Sequence, residues 1–152
     1  MSAMPEAARA IALVAAALIV MIAWMSARAL RLPPLAPDRL VAELRLAQLA
    51  APVLAFAAAC YVGLAAAQAS APGTALDTVL AFGFLVVAIT APLRDPREAL
   101  TLVALAFVAH AVADVLHRPG WLPEVAPGWY SVGCAVHNLV AAVLCYAPLL
   151  RR

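Results

Sequence analysis

Residues 98–117 read EALTLVALAFVAHAVADVLH. Between Ala99 and Ala109 no side chain is charged, and the run has the roughly 20-residue length of a helix that crosses hydrocarbon. An open strand there would leave its N–H and C=O groups without partners in lipid, so helix is the only workable state. Just before it, Asp95-Pro96-Arg97-Glu98 supplies a capping acid, a proline at the first helical position and an acid at the third.

Four more stretches of the same kind flank this one, at about 8–28, 47–68, 74–93 and 129–149. Pro33, Pro34 and Pro37 end the first. Asp38 caps the second, whose opening turns carry Arg39, Glu43 and Arg45 and are expected to stand outside the hydrocarbon. Pro52 lies inside the second span and is expected to kink it. Thr74 and Asp77 form a capping box that opens the third, and Arg118–Gly128 is the longest turn-rich loop. The reading is an all-α, polytopic membrane helix bundle of about five transmembrane helices, one domain over residues 1–152.

Composition agrees. Hydrophobic residues are 67% of the 152 and charged residues 12%, too few for the polar shell of a soluble domain. A net charge of +2 without a basic, aromatic-interleaved tract argues against nucleic acid as a partner. Cys60, Cys134 and Cys145 all lie in apolar runs, and an odd number argues against a disulfide framework. The cations are all arginine and alanine is abundant. This bias is that of a GC-rich bacterial genome, so the bacterial cytoplasmic (inner) membrane is the expected location.

Arginine placement orients the bundle. Arg28, Arg31, Arg39, Arg45, Arg94, Arg97, Arg151 and Arg152 fall on one side, Arg9 and Arg118 on the other. The expectation is N-outside and C-inside, with Trp121, Trp129 and Tyr130 at the outer interface. Ser26-Ala27-Arg28-Ala29 has the look of a signal cleavage site. The apolar run before it is long, and its heavier positive flank follows it, so the first span is expected to be kept.

Ionisable groups inside a membrane are expensive and mark functional sites. His110, Asp114 and His117 fall within an arc of about 60° at 100° per residue, with His110 about 10 Å inward of His117. His137 lies about 12 Å below the start of the last span, at a similar depth on a neighbouring antiparallel helix. Tyr130, Ser131, Cys134, His137, Asn138 and Ala141 form a polar and small-residue face, and Gly133 offers room for a close helix approach. Gln68 and Asp77 lie at the outer ends of spans two and three, and the inner half is expected to hold nothing comparable.

Three imidazoles at this spacing read as ligands for zinc or another divalent metal: His110, His117 and His137, with Asp114 as fourth ligand or as an acceptor that orients an imidazole, and as the one candidate catalytic residue. Sharing one tetrahedral ion requires their nitrogens within about 4–5 Å of one another. Cys134, Asn138, Ser131 and Asp77 are the supporting polar residues. Haem between His110 and His137, and a His/Asp proton relay for transport, are weaker alternatives. The bland reading is also coherent. His117 suits a helix C-terminus, Asp77 a helix start, Asp114 a pair with Arg118, and His137 with Asn138 interhelical hydrogen bonding.

His110-x3-Asp114-x2-His117, a Pro-rich loop and Ser131-Val-Gly133-Cys134-Ala135-Val136 resemble a family of small bacterial integral membrane proteins known only as a domain of unknown function. The resemblance spans roughly 40 residues and implies that His110, Asp114, His117 and Cys134 act as one unit. Ala113 stands where the pattern has Trp, and His137-Asn138 where it has an acid. The expectation is therefore an integral membrane protein with a His/Asp cluster in its outer half, acting alone, as a homo-oligomer or as a subunit of a larger membrane complex. The alternative is a membrane-embedded, metal-dependent hydrolase for a lipid or small amphiphile.

Overall fold

Lipid offers the backbone no hydrogen bonds, so each apolar run must close its own. In the computed structural model, which describes residues 6–67, 74–117, 121–122 and 126–151, it does so in five helices, and no strand occurs among the described residues. They are α1 (Glu6–Arg31), α2 (Pro37–Ala67), α3 (Thr74–Thr90), α4 (Pro96–Leu116) and α5 (Gly128–Leu150). A 3₁₀ turn, Ala91–Leu93, joins α3 to α4. All five are long and apolar enough to cross a membrane. Gln68, Arg118 and Arg152 lie outside the described residues.

α4 shows how lipid shapes the packing. Leu105, Val108, Val112 and Val115 form one exposed stripe, 40–61% accessible. The opposite stripe, Val103, Phe107, His110 and Asp114, is at most 1% accessible. Large aliphatics outside and ionisable groups inside is the arrangement expected when the surroundings are apolar. α4 packs most extensively on α5, and α2 on α3, while α2 also meets α4 and α1 lies against α5 and α2. Half of the spanning residues of α2 and α4 are buried but only 11% of those of α1, so α2 and α4 form the centre and α1 the margin.

Small side chains let the central helices approach. Ala47, Ala50, Ala51, Ala99, Ala104, Ala141 and Ala142 sit in the main core with Leu46, Leu54, Leu100 and Phe107. Gly133, expected to serve this purpose, does not: a Cβ built on it meets nothing within 4 Å. It faces a cleft instead. Tyr130, expected at the interface, is 5% accessible and packs edge-on against Tyr61 at 5.7 Å. Trp121 and Trp129 are exposed.

The helix ends follow local chemistry. Asp95 caps α4, its side chain accepting from Arg97 N at 3.0 Å. Pro148 lies inside α5 and has no N–H to give the carbonyl of Leu144. Ser26 on α1 donates to that carbonyl at 2.6 Å, so a proline defect in one helix becomes the attachment of another.

The arginine-rich end, expected to face inward and to carry no polar cluster within the bundle, has one. α2 begins well before its apolar run, and Arg39 and Glu43 turn inward from those early turns, 1% and 0% accessible. Arg39 Nε donates to Glu43 Oε1 at 2.9 Å, and its Nη2 donates to the carbonyls of Pro148 (2.6 Å) and Arg151 (2.9 Å). These terminal α5 carbonyls have no intrahelical donor, and the guanidinium supplies one. Arg97 Nε reaches Glu43 Oε2 at 3.3 Å, adding α4. The sequence placed these charged turns outside the hydrocarbon, and it could not show that two of the three charges are buried against one another and α5.

Removing one member of a buried ion pair costs about 3–5 kcal/mol, because the survivor stays charged without a partner. Glu43→Ala should therefore destabilise the detergent-solubilised protein by that order. Ser26→Ala should cost about 1 kcal/mol, the value of one interhelical hydrogen bond. Equal losses in denaturant titrations followed by circular dichroism would contradict this ranking.

Candidate functional site

Four helices bring polar side chains together at the end of the bundle opposite Arg39. His110, Asp114 and His117 come from α4, Cys134 and Asn138 from α5, Tyr61 from α2, and Asp77 and Phe84 from α3. The same 3.6-residue period that turns Leu105 and Val112 to lipid turns His110 and Asp114 inward. On α5, Cys134 and Asn138 are four residues apart and share the face that meets α4.

Asp114 is the centre. One carboxylate oxygen accepts the Tyr61 hydroxyl, and the other accepts Asn138 Nδ2 at 3.3 Å. Asn138 Nδ2 also lies 3.3 Å from Cys134 Sγ. One amide thus orients both the carboxylate and the thiol. A ring nitrogen of His110, a carboxylate oxygen of Asp114 and Cys134 Sγ all lie within 4.8 Å of one another. The His110 ring stacks on Phe84 with centroids 4.6 Å apart and planes 8° from parallel, and it leans on Tyr61 at 5.2 Å. Its Nδ1 is buried and has no hydrogen-bond partner, as is true of Asn138 Oδ1. A buried orphan nitrogen is costly, and it is what an imidazole awaiting a ligand presents.

His117 belongs to a second pair. It is the C-cap of α4, and its φ of −75° is still helical, so its side chain stays on the inward arc, where it meets Tyr61 with ring centroids 6.1 Å apart and Asp77. Nδ1 sits 2.7 Å from the carbonyl of Ala113, which can only accept, so this nitrogen carries a proton. Nε2 lies 2.6 Å from Asp77 Oδ1. That approach is off the N–H axis, so it is a close polar contact rather than an aligned hydrogen bond. Asp77 is 2% accessible, and its imidazole neighbour is what makes an acid tolerable there. A void of about 10 Å³, near the size that holds one water, is bordered by Tyr61, Asp77, Phe84, His110 and His117.

His137 goes elsewhere. It is half-buried and lines a cleft of about 480 Å³ between α1, α2 and α5. Its position is 100° from Asn138 around the helix, and it is Asn138 that bonds Asp114. Ile11, Phe56, Tyr130 and Cys134 also line this cleft, so Cys134 borders both the cleft and the donor group. Ser131 is buried one turn before Cys134 and is not one of the three converging donors.

Of the residues expected to hold a metal, His110, His117 and His137 with Asp114, the structure brings His110 and Asp114 together within 4.8 Å, with Cys134 as the third donor. Both nitrogens of His117 face other groups, and His137 lines the cleft and is not one of the converging donors. The expected Asp114–Arg118 pair falls partly outside the described residues. Tyr61 was not singled out from the sequence. Its signal was present: a tyrosine hydroxyl deep in an apolar run needs a partner. No protein-family model, curated protein or solved structure significantly matches the chain.

Tyr61 and Asn138 hold the same carboxylate, so their contributions should not add. Tyr61→Phe and Asn138→Ala should each destabilise by about 1–3 kcal/mol, the cost of leaving a buried acceptor short of a donor. A double-mutant cycle should show coupling of about 0.5 kcal/mol or more. Strict additivity in the same unfolding assay would mean that Asp114 does not join them.

Proposed function

We propose that this protein is an integral membrane metalloprotein in which His110, Asp114 and Cys134 hold one divalent transition metal within the helix bundle. The observation that carries the reading is the convergence of these three donors within 4.8 Å, two of them buried, beside an unpartnered His110 nitrogen. Imidazole, carboxylate and thiolate together suit zinc, and bonds of about 2.0–2.3 Å fit donors at this separation after small closure. Asn138 and Tyr61 are the orienting partners, since metal ligands are commonly fixed by a second hydrogen bond. A dication also offsets the charge of a carboxylate and a thiolate inside hydrocarbon, which neutral donors alone do less well. The resemblance, which groups His110, Asp114, His117 and Cys134, includes these three donors.

Three protein ligands leave a fourth position for water, the pattern of catalytic zinc. The cleft that shares Cys134 favours, as a second reading, a hydrolase whose lipid or amphiphile substrate reaches the metal from the bilayer. In that reading His137 lies on the path of the substrate's polar group. Arginine placement supports an N-outside, C-inside orientation in a bacterial inner membrane, with the metal in the outer half.

Protein purified in detergent and loaded with zinc should retain about one equivalent per chain. His110→Ala and Cys134→Ala should abolish retention, Asn138→Ala should weaken it about 10–100-fold, and His137→Ala should leave it unchanged. Cobalt loading should give a thiolate charge-transfer band that Cys134→Ser removes. Failure to retain either metal, or retention by the His110→Ala/Cys134→Ala pair, would sink the proposal. Separately, a reporter active only outside the cytoplasm should be silent when fused after Arg152 and active when inserted after Trp121. The reverse pattern would invert the orientation.

A further inference from the structure

The arginines at the far end of the bundle divide into two groups. Arg39, Arg94, Arg97 and Arg151 each donate to a carboxylate or a backbone carbonyl. Arg28, Arg31 and Arg45 have no such acceptor among the described residues and are exposed. Two of these three, Arg28 and Arg45, border one cavity of about 290 Å³ between the last turns of α1 and the first turns of α2. Trp24, Met25, Asp38 and Val41 complete its working surface. Arg31 is on the same end but is not part of the lining.

The chemistry of this cavity is specific. Two guanidinium groups against one carboxylate leave a net charge of +1, which complements the single negative charge of a phosphodiester. Guanidinium presents a planar fork of N–H donors that matches phosphate oxygens, whereas an ammonium would act only as a point charge. Trp24 is 64% accessible one turn before Arg28, as expected of an indole at the boundary between headgroups and chains. Met25 and Val41 give the same cavity an apolar wall. A volume of this size lies at the lower limit of small-molecule sites, about 300–1,000 Å³, and suits a headgroup rather than a whole lipid.

We propose that the cavity between α1 and α2 binds the phosphodiester headgroup of an anionic glycerophospholipid. Arg28 and Arg45 take the phosphate oxygens, Asp38 accepts from headgroup hydroxyls, and Trp24, Met25 and Val41 hold the start of the lipid chains. Basic pockets between spanning helices are the expected places for such headgroups. The site is independent of the metal site at the opposite end. It also does a structural job: α1 is the least buried helix, and a lipid wedged between it and α2 would fix its position.

Native mass spectrometry of the full chain, released from micelles holding equal amounts of phosphatidylglycerol and phosphatidylcholine, reads the proposal directly. One phosphatidylglycerol should be retained in preference to phosphatidylcholine. Arg28→Gln and Arg45→Gln should each lower its occupancy about fivefold, from about 1 kcal/mol per arginine near a membrane surface. Asp38→Asn should erase the preference for phosphatidylglycerol over phosphatidylmethanol, whose headgroup has no hydroxyl. Arg31→Gln should change nothing, and the melting temperature of the lipid-free variants should stay at the parent value, since neither arginine is bonded within the protein. Equal retention of both lipids would overturn the proposal. So would an equal loss in Arg31→Gln, which would mean diffuse attraction by positive charge. Displacement of the lipid by millimolar inorganic phosphate would assign the pocket to a free anion instead.

Discussion

Asp114 is surrounded by helices that, in hydrocarbon, cannot lend it water. It takes its hydrogen bonds from Tyr61 on α2 and Asn138 on α5 while its own backbone belongs to α4. Three helices are thereby set in register by one carboxylate. Since lipid provides almost no hydrophobic force between helices, polar contacts of this kind and close alanine packing carry much of the specificity. The position of Cys134 and His110 follows from the same constraint: Asn138 holds the thiol, and Tyr61 with Phe84 brackets the imidazole.

The opposite end repeats the logic with charge. Arg39 is buried because Glu43 and the terminal carbonyls of α5 give its guanidinium acceptors, and Glu43 is buried because Arg39 and Arg97 flank it. Between the two polar ends lies an alanine-rich layer with few directional contacts. α1 joins this frame through Ser26 and the carbonyl freed by Pro148, and through Arg151 donating to the Leu30 carbonyl. Both attachments lie toward the arginine-rich end. The cleft opens where α1 passes α2 and α5, beside Cys134 and His137.

Much of the architecture was legible in one dimension. Apolar run length, prolines and capping acids sufficed for five helices, and the 3.6-residue period put His110 and Asp114 on one inward face. The period could not name partners on other helices. His117 shares the inward arc of α4, yet what it meets there is Asp77 of α3. His137 and Asn138 are adjacent and differ by 100°, so naming the inward one requires knowing where α4 lies. Gly133 was read as a packing residue, yet its small size borders open space.

The sequence by itself determined that this chain makes apolar helices, where they break, and which α4 residues share a face, because these depend on contacts within a few residues. Only the tertiary structure decided that Tyr61 and Asn138 meet Asp114, that His117 meets Asp77, and that Arg39 and Glu43 are buried. Those outcomes rest on how one helix is rotated against the next. That rotation is set by summed packing over many residues far apart in the chain, and no local spacing encodes it.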